Sequence, residues 1–333
     1  MTLFTLSNHS NQKALIVWGM IGIIGIFSFV EKAHSATWTV IKHNGREYVT
    51  AQNIKDFYHF NSLERNKGSL RFSSPKIEMR IKNGSDNLYI NTVLFRLSYK
   101  VIQIRNNYLF SRIDLAKLID PVLRPSYIKT AKRFRTVVLD PGHGGSDPGS
   151  VNGYGKEKDF NLRLAKILLR DLERKGFRVR MTRSTDTFPT LGERVIYANR
   201  IADSIFISLH FNSFNNNTAK GIETYALSPK GSGTHNDRGV KNNFLKGNAR
   251  DSENIALATA IHASVIKKTQ ADDRGIKRDR FTVLAGLAMP AVLVEGGFLS
   301  NPQDARKIAS TAYLSLLSNG ITNGIVAYRN ALR

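Results

Sequence analysis

The chain has 333 residues, enough for two domains with their own cores, and it contains no cysteine. That excludes disulfides, thiolate metal ligands and a cysteine nucleophile, so any metal must be held by His, Asp or Glu. Lysine and arginine outnumber the acidic residues 49 to 26, and the formal net charge of +23 is spread along the whole chain, which points to an anionic partner.

Residues 14–30 (ALIVWGMIGIIGIFSFV) form an uncharged apolar run after Lys13 and before Glu31 and Lys32. Small residues follow at Ala33, Ser35 and Ala36, so residues 1–36 read as an export signal cut near Ser35 or Ala36, although His34 sits poorly for the later cut. The run is close to the lower bound of roughly 17 residues for crossing a bilayer, so an uncleaved anchor over residues 14–30 is the alternative. Both readings place the rest of the chain outside the cytoplasm, in a periplasm or beyond. An exported basic protein meets anionic wall polymers or a membrane surface. Nucleic acid is disfavoured, since no RNA-recognition signature or zinc-finger spacing occurs.

Residues 37–124 alternate in short stretches such as TWTVIKHNGREYVTA, SLRFSSPKIEMRI and DNLYINTVLFRLSYKVIQI. Turn chemistry at Asn44-Gly45, Asn83-Gly84 and Asn106-Asn107 separates predicted strands, with helical stretches over 51–60 and 112–118. This predicts a small β-rich α+β domain. Its "GREYV", "LYINTVLFRLSY" and "LFSRIDLAKLIDPVLRP" stretches resemble the small exported domains related to the N-terminal domain of copper amine oxidases. That resemblance implies a spacer or wall-targeting module. It does not imply copper, because His43 and His59 lack a ligand constellation.

Pro121, Pro125 and the basic residues Lys129, Lys132 and Arg133 break the periodicity, and residues 125–134 read as a linker. From 135 to 333 strands alternate with helices: strands at 136–140, 178–182, 204–210, 221–227 and 291–296, helices over 158–175, 191–202 and 254–268, and a helix at the end. The pattern predicts an α/β domain, a twisted, mostly parallel or mixed sheet flanked by helices.

His143 lies in Asp140-Pro-Gly-His-Gly-Gly, directly after an apolar strand, where the glycines allow a sharp turn that exposes the imidazole. An incidental histidine in a glycine-rich turn explains it equally well. His210, however, ends a second apolar strand, and two such strand ends can share the ligand-binding rim of an open α/β sheet. Glu295 closes the apolar strand Ala291-Val-Leu-Val, so a charge emerges at the same rim. It is either functional or paired with a buried arginine. Glu157 precedes a helix, where the helix dipole alone accounts for an acid; as a third ligand it would complete a His2Glu set of the kind used by catalytic zinc sites.

The stretches "VVLDPGHGGSDPGS", "GKEKDFNLRLAKILLRDLERKGFRVRMTRSTDTFPTLGERVIYAN", "IFISLHFNS", "GIETYAL", "DRGIKRDRFTVL" and "PAVLVEGGFLSNPQDA", in this order, resemble the zinc-dependent N-acetylmuramoyl-L-alanine amidases of bacterial cell walls. The resemblance covers nearly all of 135–333. It implies His143, Glu157 and His210 as ligands of one Zn2+ per chain, Glu295 as catalytic acid/base, peptidoglycan as substrate and a monomeric hydrolase. Arg274 and Lys277 match a further family stretch and are candidate substrate-binding residues, with surface electrostatics as the alternative. Asn161 and Arg194 also match, with structural roles expected. Residues 228–253, rich in glycine and poor in apolar residues, predict a lid or wall-contacting loop rather than a helical plug over the metal. On ligands alone a carboxypeptidase, a deacetylase or a non-catalytic wall-binding protein stays open.

Overall fold

A computed structural model describes residues 2–5 and 37–332. The apolar run over 14–30 lies outside the described residues. Within them, no helix is long and apolar enough to cross a membrane. The chain divides into two compact units, Met1–Arg124 and Pro125–Arg333.

The first unit is built from antiparallel strands. Thr37–His43 pairs with Arg46–Thr50 across Asn44 and Gly45, both with positive φ (46° and 72°), the backbone that Asn-Gly turns supply at low cost. Thr50 then caps the helix Ala51–Phe57 by accepting from the backbone N–H of Asn53. Strands Ser62–Asn66, Ser69–Ser73, Glu78–Lys82, Asn87–Ile90 and Val93–Arg96 follow as a meander. The long stretch over residues 86–104 therefore splits, because Asn91 takes a positive φ of 53° and reverses the chain. Pro121 does not stop its helix as predicted. A π-turn over Leu115–Ile119 precedes it, and the chain stays helical to Leu123, since the wider turn absorbs the missing proline N–H.

In the second unit the strands are β1 (Thr136–Pro141), β2 (Arg178–Met181), β3 (Ser204–Asn212), β4 (Ile222–Leu227), β5 (Asp273–Asp279) and β6 (Ala291–Phe298). The helices are α1 (Glu157–Arg174), α2 (Leu191–Asn199), α3 (Asp251–Thr269), α4 (Pro302–Ala309) and α5 (Thr311–Ala331). The sheet runs β2-β1-β3-β6-β4-β5. Neighbours are parallel except β6 and β4, so the sheet is mixed. β1 and β3 carry continuous apolar runs over residues 137–139 and 205–207 because both faces are covered. Val138, Phe206 and Leu293 point to the layer holding Ala198 of α2 and the 283–289 segment. On the other face α1, α3 and α5 pack, with α5 drawn against α3 by Gly320 and Gly324. A Cβ on Gly324 would lie 2.4 Å from the Ile261 Cα, a distance no side chain survives.

Two features depart from the sequence reading. β5 (DRGIKRD) was not foreseen, since its polarity hides a strand whose Lys277 and Arg278 are buried. The C-terminal helix is two, divided at Ser310, which caps α5. Residues 228–245 contain no α-helix among the described residues; a 3-10 turn over Lys246–Arg250 leads into α3.

Candidate metal centre

β1 delivers the chain to a turn held by two buried arginines. Arg194 Nη1 donates to Asp140 Oδ1 and to the Pro141 carbonyl, both at 2.8 Å, and its Nη2 donates to the His143 carbonyl at 2.8 Å. Arg183 donates from Nε to the Pro141 carbonyl and from Nη2 to the Gly142 carbonyl, each at 2.9 Å. So clamped, His143 keeps a positive φ of 60°. Asp147, four residues on, places Oδ2 2.7 Å from His143 Nδ1 and leaves Nε2 to face inward.

His143 Nε2 lies 3.2 Å from Glu157 Oε1, and His210 Nδ1 lies 2.9 Å from the same oxygen. Glu157 is the first residue of α1 and is 4 % exposed. Its Oε2 accepts from the Ser150 backbone N–H at 3.0 Å and its Oε1 from the Phe211 N–H at 3.2 Å. Candidate ligand atoms of His143, Glu157 and His210 all lie within 4.8 Å of one another. Burial alone would raise the Glu157 carboxyl, but the two imidazoles outweigh it and hold the group well below the usual carboxylate range. Burial likewise pushes the His143 imidazole down, while Glu157 and then Asp147 pull it above its ordinary value.

Glu295 is the register partner of His210 on the neighbouring parallel strand, one place along the same rim. Its Oε2 is buried without a hydrogen-bond partner among the described residues. Burial, and after it the charges of Glu157 and Glu223, pushes the carboxyl well above its ordinary value, with Lys277 opposing. No buried arginine pairs with it among the described residues.

Arg274 and Lys277 turn instead to Glu223, a fully buried acid on β4 that sequence reasoning passed over. Lys277 Nζ donates to Glu223 Oε1 at 2.5 Å and Arg274 Nε to the same oxygen at 2.8 Å. Tyr225 and Asn212 donate to Oε2 at 2.8 and 3.1 Å. Glu223 carried the signal that marked Glu295, an acid inside the apolar strand GIETYAL. Asp147 carried a weaker one, its spacing of four from His143. Asn161 donates to the Gly142 carbonyl at 3.2 Å and so ties α1 to the His143 turn. His262 is buried between Thr224 Oγ1 and Asp273, 2.9 Å from each, and stands apart from the metal group.

Two imidazoles and a carboxylate converging on one point, with an unpaired carboxyl beside them, form a set suited to a catalytic divalent metal and a proton-transfer group. Comparison with known proteins agrees with that geometry. The profile of the Amidase_3 family, described as N-acetylmuramoyl-L-alanine amidase, matches residues 137–327. The uncharacterized protein YqiI of Bacillus subtilis is 34% identical over 194 residues, 58% of this chain and 84% of YqiI. The probable cell wall amidase LytH of Staphylococcus aureus is 32% identical over 206 residues, which span 61% of each chain. Among solved structures, the N-acetylmuramoyl-L-alanine amidase of Clostridium difficile 630 is 33% identical with a TM-score of 0.50, covering 60% of this chain and 98% of that one. The catalytic domain of CwlV, an N-acetylmuramoyl-L-alanine amidase from Bacillus (Paenibacillus) polymyxa, is 31% identical with a TM-score of 0.51, covering 60% and 99%. With a family match over more than half its length, on the unit that carries the metal-ligand group, the chain belongs to the N-acetylmuramoyl-L-alanine amidase family of hydrolases.

Proposed function

We propose that the protein hydrolyses the amide between the lactyl group of N-acetylmuramic acid and the L-alanine of the peptidoglycan stem peptide, using one zinc ion held by His143, Glu157 and His210. The observation that carries this reading is the meeting of those three side chains, with ligand atoms within 4.8 Å of one another, beside a carboxyl that has no other occupation. The donor set fits zinc: imidazole nitrogen and carboxylate oxygen are its common ligands, and three protein ligands leave a position open. A zinc ion held there would supply Lewis acidity toward the scissile carbonyl and lower the pKa of a water to about 7.

The chain's own residues supply the rest. Glu295 takes a proton from the attacking water on a carboxylate oxygen and returns it to the leaving amine nitrogen of the alanine. Asp147 orients His143, and the Ser150 and Phe211 N–H groups fix the position of the Glu157 carboxylate. Glu223 pairs with buried Lys277 and holds the more exposed Arg274 at the rim beside Glu295, where Arg274 meets the substrate's carboxylates. The β-rich unit over 37–124 serves as a spacer or wall-targeting module, and the protein works outside the cytoplasm after export directed by residues 1–36.

Product analysis tests the reaction. Peptidoglycan treated with the purified protein releases free stem peptides with an unblocked N-terminal alanine, seen by mass spectrometry. Release of acetate, or of single C-terminal amino acids, would assign a deacetylase or a carboxypeptidase instead.

A further inference from the structure

The opposite end of the same sheet carries a second feature, a recess of about 570 Å³ lined by Arg133, Arg135, Arg178, Arg180 and Asp203. Thr136 and Arg178 open β1 and β2, and Asp203 immediately precedes β3, so the recess lies at the N-terminal ends of three parallel strands. His143 and His210 lie toward their C-terminal ends. The six residues of β1 separate the two rims by about 20 Å at the usual strand rise.

The recess has a rigid frame. Arg178 and Arg180 flank buried Val179 on β2 and therefore share a face, and just before β1 exposed Arg133 and Arg135 lie on either side of buried Phe134. Phe134 stacks on Phe177 and Tyr328 at centroid distances of 5.8 and 5.9 Å. The Arg178 N–H donates to the Arg135 carbonyl at 2.9 Å and the Arg135 N–H to the Asp203 carbonyl at 3.0 Å, which knits the three segments together.

The charges on this frame are exposed and unneutralised. Among the described residues none of the four arginines forms an ion pair, and only Arg180 has a side-chain bond, from Nη1 to the Val179 carbonyl at 3.0 Å. Arginines elsewhere do find acids, as Arg194 finds Asp140 and Arg71 finds Glu78. Asp203 is the one acid in the lining. Four like charges gathered on one recess raise the energy of the folded chain until an anion joins them.

We propose that this recess binds a phosphate-bearing linear wall polymer, its arginines forking onto the phosphates of successive repeat units and mooring the enzyme with its catalytic rim free. The choice of a wall polymer rests on the reading of the protein as a wall hydrolase. Arginine rather than lysine favours phosphate, whose oxygens match the planar two-pronged donor. The concave shape disfavours a flat membrane, and none of the exposed large apolar side chains among the described residues lines it to enter lipid.

The test is sedimentation of the full chain, carrying Glu295→Gln to prevent hydrolysis, with sacculi bearing covalently attached poly(glycerol phosphate), before and after the polymer is stripped with hydrofluoric acid. Binding falls at least about tenfold on stripped sacculi and weakens steeply with salt, as expected for contacts to phosphates. Replacing Arg133, Arg135, Arg178 and Arg180 by alanine causes a similar loss. Replacing the exposed Lys166, Lys267, Lys268 and Lys307 by alanine removes the same charge and leaves binding nearly unchanged. Thermal unfolding confirms that both variants fold. Equal binding to stripped sacculi, equal loss in the lysine variant, or tighter arginine-dependent binding to phosphatidylglycerol vesicles would overturn the proposal. Failure of the amidase reading is separate: it is read from stem-peptide release by the chain without the Glu295 substitution.

Discussion

Glu223 and Glu295 are register partners on adjacent antiparallel strands, and the fold gives their carboxyls opposite surroundings. Glu223 receives four donors, from Lys277, Arg274, Tyr225 and Asn212. Burial would raise it, but Lys277 leads the charges and hydrogen bonds that hold it below the ordinary carboxylate value. Glu295 has a buried Oε2 with no donor among the described residues, and burial pushes it the other way. One acid is structural and ionised; the other is free to exchange a proton.

Glu295→Gln is therefore expected to lower hydrolysis by about 10²–10⁴-fold, the range for loss of a positioned general acid/base. Zinc content, measured by inductively coupled plasma mass spectrometry, stays at the parent level. The thermal midpoint does not fall, since Oε2 has no hydrogen bond to lose.

Glu223→Gln has a different signature. It removes the buried charge that pairs with Lys277, whose side chain is 5% exposed, and should cost about 3–5 kcal/mol by urea unfolding at pH 7. Adding Lys277→Met recovers part of that loss. Because the folded-state pKa of Glu223 is depressed, its contribution is complete above the unfolded carboxyl value of about 4.3 and is lost as pH falls through the folded value. The gap between parent and Glu223→Gln narrows only in acid; a gap that widened there would reverse the assignment.

Asp147→Asn keeps the shape beside His143 Nδ1 but removes the charge. Zinc affinity should fall by about 10–100-fold, the usual effect of losing an outer carboxylate partner. Competition with a chromophoric chelator measures it.

Gly142 sits under the His210 ring, and a Cβ there would lie 2.1 Å from Cε1. Gly142→Ala should displace His210 and abolish zinc binding in a titration. Gly153→Ala, whose Cβ would meet nothing within 4 Å, should bind zinc like the parent.

His143, His210 and Glu295 were legible as polar residues at the ends of apolar strands, a contrast that burial patterning makes visible. The mixed sheet was legible for the same reason, since β1, β3 and β6 are apolar runs. Glu157 was not legible from local physics, because an acid at a helix start is ordinary; the family resemblance singled it out, and in the structure it meets both imidazoles. Glu223 and β5 escaped because their charges cancel in space: Lys277 reads as solvated until the buried acid 54 residues away is known. Of the two arginines that clamp the His143 turn, Arg194 was expected in a structural role and pairs with Asp140, whereas Arg183 was hidden, because its partners are backbone carbonyls that no sequence pattern reports.

The most direct test of the account is reconstitution of stem-peptide release after removal of the metal. Enzyme stripped with a chelator should release no peptides with a free N-terminal alanine, and one equivalent of zinc should restore release in the parent chain but not in His143→Ala, Glu157→Ala or His210→Ala. Release by the stripped enzyme, or its restoration in any of the three variants, would contradict the assignment of these residues as the zinc site of an amidase.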